Sequence, residues 1–144
     1  MLRIPSPESQ DEAVANCEDL VRGLFAAIGA RDLDHLTATV TEDVRFEAPY
    51  AGGGTTVVGR DAFVETFSRT LGGFFDRLDL EITAFYPGLN PDVLVAEYQS
   101  SATVLSNGRR YENRYIGVFE FRHGLLALWR EYFNPEILAA ALAP

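Results

Sequence analysis

Lysine is absent from this sequence, and cysteine and histidine are scarce: 144 residues hold one Cys, two His and no Lys. With Cys17 alone, an intramolecular disulfide and a thiolate zinc site are both excluded. His35 and His123 fall in a short helical segment and in an Arg-His-Gly turn, so both are expected at the surface, outside any triad. No His/Asp/Glu cluster has ligand spacing, and neither a metal nor another cofactor is expected. Positive charge is also in short supply. Twelve arginines face 21 acids, for a net charge of −9, which disfavours nucleic acid because its binding depends on basic side chains neutralising phosphates. No apolar run reaches the roughly 18–20 residues of a membrane span, so no membrane partner is expected. The N-terminus has no apolar core of signal-peptide length, and a cytoplasmic location is expected.

What is present suits one domain with its own hydrophobic core. Residues 1–11 read as a loose arm and 12–144 as a single domain. Val14, Cys17, Val21, Leu24, Phe25 and Ile28 make one apolar stripe at three- and four-residue spacing, which predicts a helix ending near Gly29. Asp32 is placed to cap a short second helix carrying Leu33 and Leu36. "DVRFEAPY" reads as a short strand, "AGGGTTVVG" as a flexible flap, and "GRDAFVETFSRTL" as a third helix with Phe63 and Phe67 inward. Four strand-like runs follow, and "NPEILAAALA" closes the chain as a short helix with Pro135 early in it. Helices first and antiparallel strands after predict an α+β domain.

The last strand, "LLALWREYF", alternates Leu125, Ala127, Trp129, Glu131 and Phe133, so one carboxylate interrupts an otherwise apolar face. A carboxyl against Trp129 and Phe133 loses solvation and its pKa should rise toward the range useful for proton transfer. The alternative is a structural Glu hydrogen-bonded to Tyr98, Ser100 or Tyr115, or paired with an Arg.

The element order, with "TEDVRFEAP", "GRDAF" and "YENRYIGVFEFRHGLLALWREYFNP", resembles the nuclear transport factor 2-like superfamily over roughly residues 12–140. That group includes ketosteroid isomerases, limonene epoxide hydrolases, SnoaL-type polyketide cyclases and the phenazine biosynthesis A/B proteins. The last stretch is most similar to the phenazine A/B proteins, then to limonene epoxide hydrolase. The resemblance implies a curved antiparallel sheet forming a cone, with N-terminal helices closing an apolar pocket. It implies pocket positions at Phe46, Ala48, Tyr98, Ser100, Tyr111, Asn113, Tyr115, Gly117, Trp129, Glu131 and Phe133, with Leu24, Ile28, Phe63 and Phe67 closing from the helices. It also implies a homodimer through the convex face, where Glu112, Arg114, Glu120, Arg130 and Tyr132 mix with Ile116, Val118, Leu126 and Leu128.

The departures are as informative. The general base and oxyanion acid of the isomerases fall on Ala48 and Gly117, and the partner Tyr on Leu24. The epoxide hydrolase triad falls on Glu131, Tyr98 and Ser100, and its water-holding Tyr and Asn on Phe46 and Ala48. The resemblance also places an acid at the Glu131 position in the cyclases and phenazine proteins. The first expectation is cofactor-free acid/base chemistry by Glu131 on a largely apolar cyclic molecule: a cyclisation, condensation or isomerisation. Tyr98, Ser100 and Tyr115 would polarise a substrate carbonyl or imine, and Asn113, Phe46, Phe63, Phe67, Ala48, Trp129 and Phe133 would bind it. The alternatives are a non-catalytic binding or dimerising accessory protein, and an epoxide hydrolase-like activity with an altered site.

Overall fold

The computed structural model describes residues 6–144. Ser6 caps helix α1 (Pro7–Ala30) by accepting from the Ser9 amide at 3.2 Å, and Pro7 occupies a first-turn position that needs no amide donor. The part of the expected arm from residue 7 onward is therefore helical, and residues 1–5 lie outside the described residues. The apolar stripe of α1 faces the core from Cys17 to Ile28. The helix does not end at Gly29. Arg31 takes the left-handed conformation with φ 55° and closes it. Gly29 instead lets α1 approach the sheet, since a Cβ there would lie 3.2 Å from Asp79 Oδ1.

Asp32 caps α2 (Leu33–Thr39) by accepting from the His35 amide at 3.0 Å. Strand β1 (Val40–Ala48) alternates with Val44, Phe46 and Ala48 buried. The glycine-rich stretch is only partly a flap: after turns with positive φ at Gly52, Gly53 and Gly54, Thr55–Val58 forms β2, paired antiparallel with β1. Helix α3 (Arg60–Arg69) buries Phe63 and Phe67. A wide turn, Thr70–Phe74, leaves helical geometry at Leu71 and Gly72 and leads into the sheet.

Strands β3 (Phe75–Pro87), β4 (Val93–Val104), β5 (Arg110–Arg122) and β6 (Leu125–Phe133) run antiparallel in sequence, and β1 joins β6 in parallel. The order across the sheet is β2-β1-β6-β5-β4-β3. Helix α4 (Pro135–Leu142) starts at Asn134, whose side chain accepts from the Glu136 amide at 3.0 Å. The molecule is an α+β fold: helices cover the concave face of a curved sheet, and the core lies between them.

Two irregularities break the simple alternation. The β3–β4 register shifts between Ile82 and Ala84, so Phe85 pairs with Ala96 and Tyr86 turns outward, half exposed. The β5–β6 register shifts beyond Glu120, so Phe121 pairs with Leu126. Leu126, expected on the convex face, is therefore buried in the core, and Ala127 is the extra residue of a bulge. Arg130 and Glu47 pair on the convex face at 2.6 Å, with Ile116 exposed nearby on β5. Among the described residues, no helix is long and apolar enough to cross a membrane.

Candidate functional site

The site is built where β4, β5 and β6 run side by side. Tyr98, Gly117 and Glu131 lie close together, with Gly117 paired to Ala96 on one side and to Glu131 on the other. Tyr98 lies across Gly117, where a Cβ would fall 2.9 Å from Tyr98 Cε1 and 3.0 Å from its hydroxyl. Glycine is needed here for close approach, and the missing side chain is the space Tyr98 fills. From there Tyr98 donates to Glu131 Oε1 at 2.6 Å, and Trp129 Nε1 donates to the Tyr98 oxygen at 3.1 Å. Tyr98 and Trp129 are 2% and 1% exposed, so this pair of bonds is dry. Among the described residues, Oε2 of Glu131 has no hydrogen-bond partner, and it is not sealed from solvent.

Oε2 opens toward a cavity of about 350 Å³ that Glu131 lines. Phe46, Ala48, Phe67, Phe75 and Leu78 form much of its wall; Leu138 and Leu142 of α4 close another side, and Phe74 stands half exposed beside it. Among the described residues, Glu131 is the only Asp, Glu, Arg, Lys or His side chain on that wall. Burial pushes its carboxyl up to about 7, against the opposing pull of the Tyr98 hydrogen bond. The residue as a whole keeps some accessible surface, so the desolvation is of a group at a cavity wall rather than one sealed in the core. Wider grooves elsewhere, such as the one lined by Asp79, Glu81 and Glu112, are open to solvent.

Two further polar groups on the wall are Tyr111 and Tyr115, joined at 2.6 Å through their hydroxyls. Tyr115 donates to Ser100 Oγ at 3.0 Å, so the proton in the Tyr111–Tyr115 contact belongs to Tyr111. Asn113 Nδ2 donates to Tyr111 at 3.0 Å and also to the Asn134 carbonyl, tying this relay to the start of α4. Burial raises the pKa of Tyr98, Tyr111 and Tyr115, which keeps all three phenols neutral.

The fold thus brings Glu131, Phe46, Ala48, Phe67, Tyr115 and Phe133 to one cavity. Tyr98, Trp129, Ser100, Asn113 and Phe63 stand behind that wall rather than on it. Phe63 packs on Phe67 with ring centroids 4.9 Å apart, and Trp129 stacks on Phe67 at 5.5 Å. The expected carbonyl-polarising role of Tyr98, Ser100 and Tyr115 is not what the geometry offers, because the Tyr98 and Tyr115 protons are committed to Glu131 and Ser100, and Ser100 does not line the cavity. Tyr111, expected on the pocket face, is also on the wall, whereas sequence reading left out Thr66, Thr70, Leu138 and Leu142. Leu138 and Leu142 were available from their four-residue spacing on α4. The epoxide hydrolase triad is not assembled, since no arginine lines the cavity among the described residues. Nor do those residues contain a group of three His, Cys, Asp or Glu able to hold a metal.

A helix-covered curved sheet around an apolar cavity with one desolvated acid defines a small-molecule-pocket class of α+β domain. Residues 21–129 match the SnoaL-like domain, and the chain belongs to that family. It is 27% identical over 130 residues, 87% of this chain and 85% of the relative, to the uncharacterised protein YesE of Bacillus subtilis. Among solved structures it is similar in fold to a phenazine biosynthesis-related protein from Pseudomonas aeruginosa (TM-score 0.82, 20% identity, 96% of this chain and 94% of that one). An LEH-like epoxide hydrolase of M. tuberculosis shares the fold at TM-score 0.72 and 20% identity, over 89% and 90% of the two chains.

Proposed function

We propose that the cavity binds a largely apolar, cyclic small molecule and that Glu131 performs cofactor-free acid/base chemistry on it, of cyclisation, condensation or isomerisation type. The observation that carries this is Glu131 itself. It is a carboxyl held at about 7, bonded through one oxygen to Tyr98 and open to the cavity through the other. A group poised near neutral pH exchanges protons efficiently in both directions. The aromatic wall supplies the apolar contact, and the Tyr98–Trp129 pair fixes the orientation of the acid.

A second reading is a binding protein without turnover. It is favoured by Ala48, Tyr98, Ser100 and Gly117, none of which is a titrating partner for Glu131 near neutral pH. In either reading we propose a homodimer through the convex face, supported by Ile116, 41% exposed there.

Mass spectrometry of an organic extract of the purified protein identifies the occupant, and turnover of that compound is then compared in wild type and Glu131→Gln. The catalytic reading expects kcat to fall by about 10²–10⁴-fold, the usual contribution of a positioned acid or base. Unchanged kcat in the variant would sink it, and binding without turnover in wild type would favour the second reading.

A further inference from the structure

Every hydroxyl on the cavity wall has already spent its proton on the protein. Thr55 donates to the Ala51 carbonyl at 3.2 Å, Thr66 to Ala62 at 2.7 Å and Thr70 to Thr66 at 2.9 Å. Tyr115 donates to Ser100, and Tyr111 to Tyr115. The Tyr98 proton lies on Glu131, and the Trp129 N–H on Tyr98. The polar side chains of the wall therefore present lone pairs: the second sites of the hydroxyl oxygens and the open Oε2 of Glu131. Among the described residues, no arginine, lysine or histidine lines the cavity to receive an acid.

A ligand must match that pattern, because a buried acceptor that meets another acceptor stays unpaired and costs affinity. A carboxylate ligand meets Glu131 with like charge. A ketone finds no donor unless Glu131 itself carries the proton. An ammonium group supplies both the missing donors and the missing countercharge, and the faces of Phe46, Phe67, Phe75 and Phe133 attract cations through their quadrupoles.

We propose that the ligand of this cavity is an apolar amine, bound as its ammonium ion with an N–H donated to Glu131 Oε2. The inference rests on the reading that this cavity is the ligand site, and it names the substrate class. It also gives Glu131 a defined proton to move. Transfer of one N–H proton from the ammonium to Oε2 leaves a neutral amine with a free lone pair and a protonated carboxyl. That is the state from which an amine attacks a carbonyl in a condensation or ring closure.

The test uses four probes with one ring system: 1-naphthylmethylamine, 1-naphthylmethanol, 1-acetonaphthone and 1-naphthoate, titrated calorimetrically into the full chain at pH 7. The amine is expected to bind about tenfold or more tighter than the ketone, the equivalent of one well-made charged hydrogen bond. The naphthoate is expected to bind weakest. Glu131→Gln is expected to erase the amine preference while leaving the ketone within about threefold. Ketone or carboxylate binding as tightly as the amine in wild type overturns the amine assignment alone and leaves the ligand site standing. If none of the four binds, the site reading falls with it. The wild-type series decides the matter even if the variant fails to fold.

Discussion

Tyr98 reaches Glu131 across Gly117, and its hydroxyl donates to Oε1 at 2.6 Å. Two consequences follow for Tyr98→Phe. The Trp129 N–H loses its acceptor in a dry place, which should cost about 1–3 kcal/mol in a urea titration. The bond also holds the Glu131 carboxyl down, so its removal should move that carboxyl further above about 7.

Gly117→Ala should be more disruptive than its one added methyl suggests. The new Cβ would lie 2.8 Å from Phe119 Cε2 and 2.9 Å from Tyr98 Cε1, and both rings are packed. Overpacking of this kind costs about 1–3 kcal/mol. Thermal unfolding should show that loss, and near-ultraviolet circular dichroism should show Tyr98 displaced.

Glu131 should make stability fall as pH rises. Its carboxyl is raised from 4.5 to about 7 on folding, so between those values the folded state holds a proton that the unfolded chain has released. The stability of wild type relative to Glu131→Gln should therefore decline from about pH 4.5 to about pH 7 and then level off. The full decline is roughly 2–3 kcal/mol, below the value for complete burial because the group keeps some accessible surface. Unfolding midpoints of both proteins across this range measure it. Parallel curves would mean that Glu131 titrates as an ordinary glutamate.

Helix α4 is clamped at its end. Arg109 donates to the carbonyls of Ala140 and Ala143 at 2.9 and 3.0 Å, and Asn107 donates to Ala141 at 2.8 Å. These bonds satisfy carbonyls that a helix end leaves open. Arg109→Ala should cost only about 1 kcal/mol globally. It should speed amide exchange selectively over residues 138–142, loosening the cavity wall that Leu138 and Leu142 provide.

Much of this was legible in the sequence, for physical reasons that particular residues make plain. Along β4 and β5 the period of two is unbroken, so the inward set from Leu94 to Ala102 and from Tyr111 to Phe119 could be read directly. Where a bulge adds a residue the same rule misleads: Tyr86 turned out and Leu126 turned in. The four residues of β2 are too few, beside four near-consecutive glycine and alanine positions, for a strand pattern to register. Glu131 stood out because a charge on an apolar face is costly and needs a reason. Its partner Tyr98 could be named only alongside Ser100 and Tyr115, since the choice among them depends on the empty space at Gly117. The direction of each hydroxyl proton, which sets what the cavity can bind, belongs to the assembled network alone.

A side-chain carboxyl titration by carbon-13 NMR, with glutamate labelled and Glu131 assigned by its loss in Glu131→Gln, measures the acid itself. A midpoint near 7 is expected, rising in Tyr98→Phe. A midpoint near 4.5, unmoved by Tyr98→Phe, would contradict a desolvated acid poised for proton transfer.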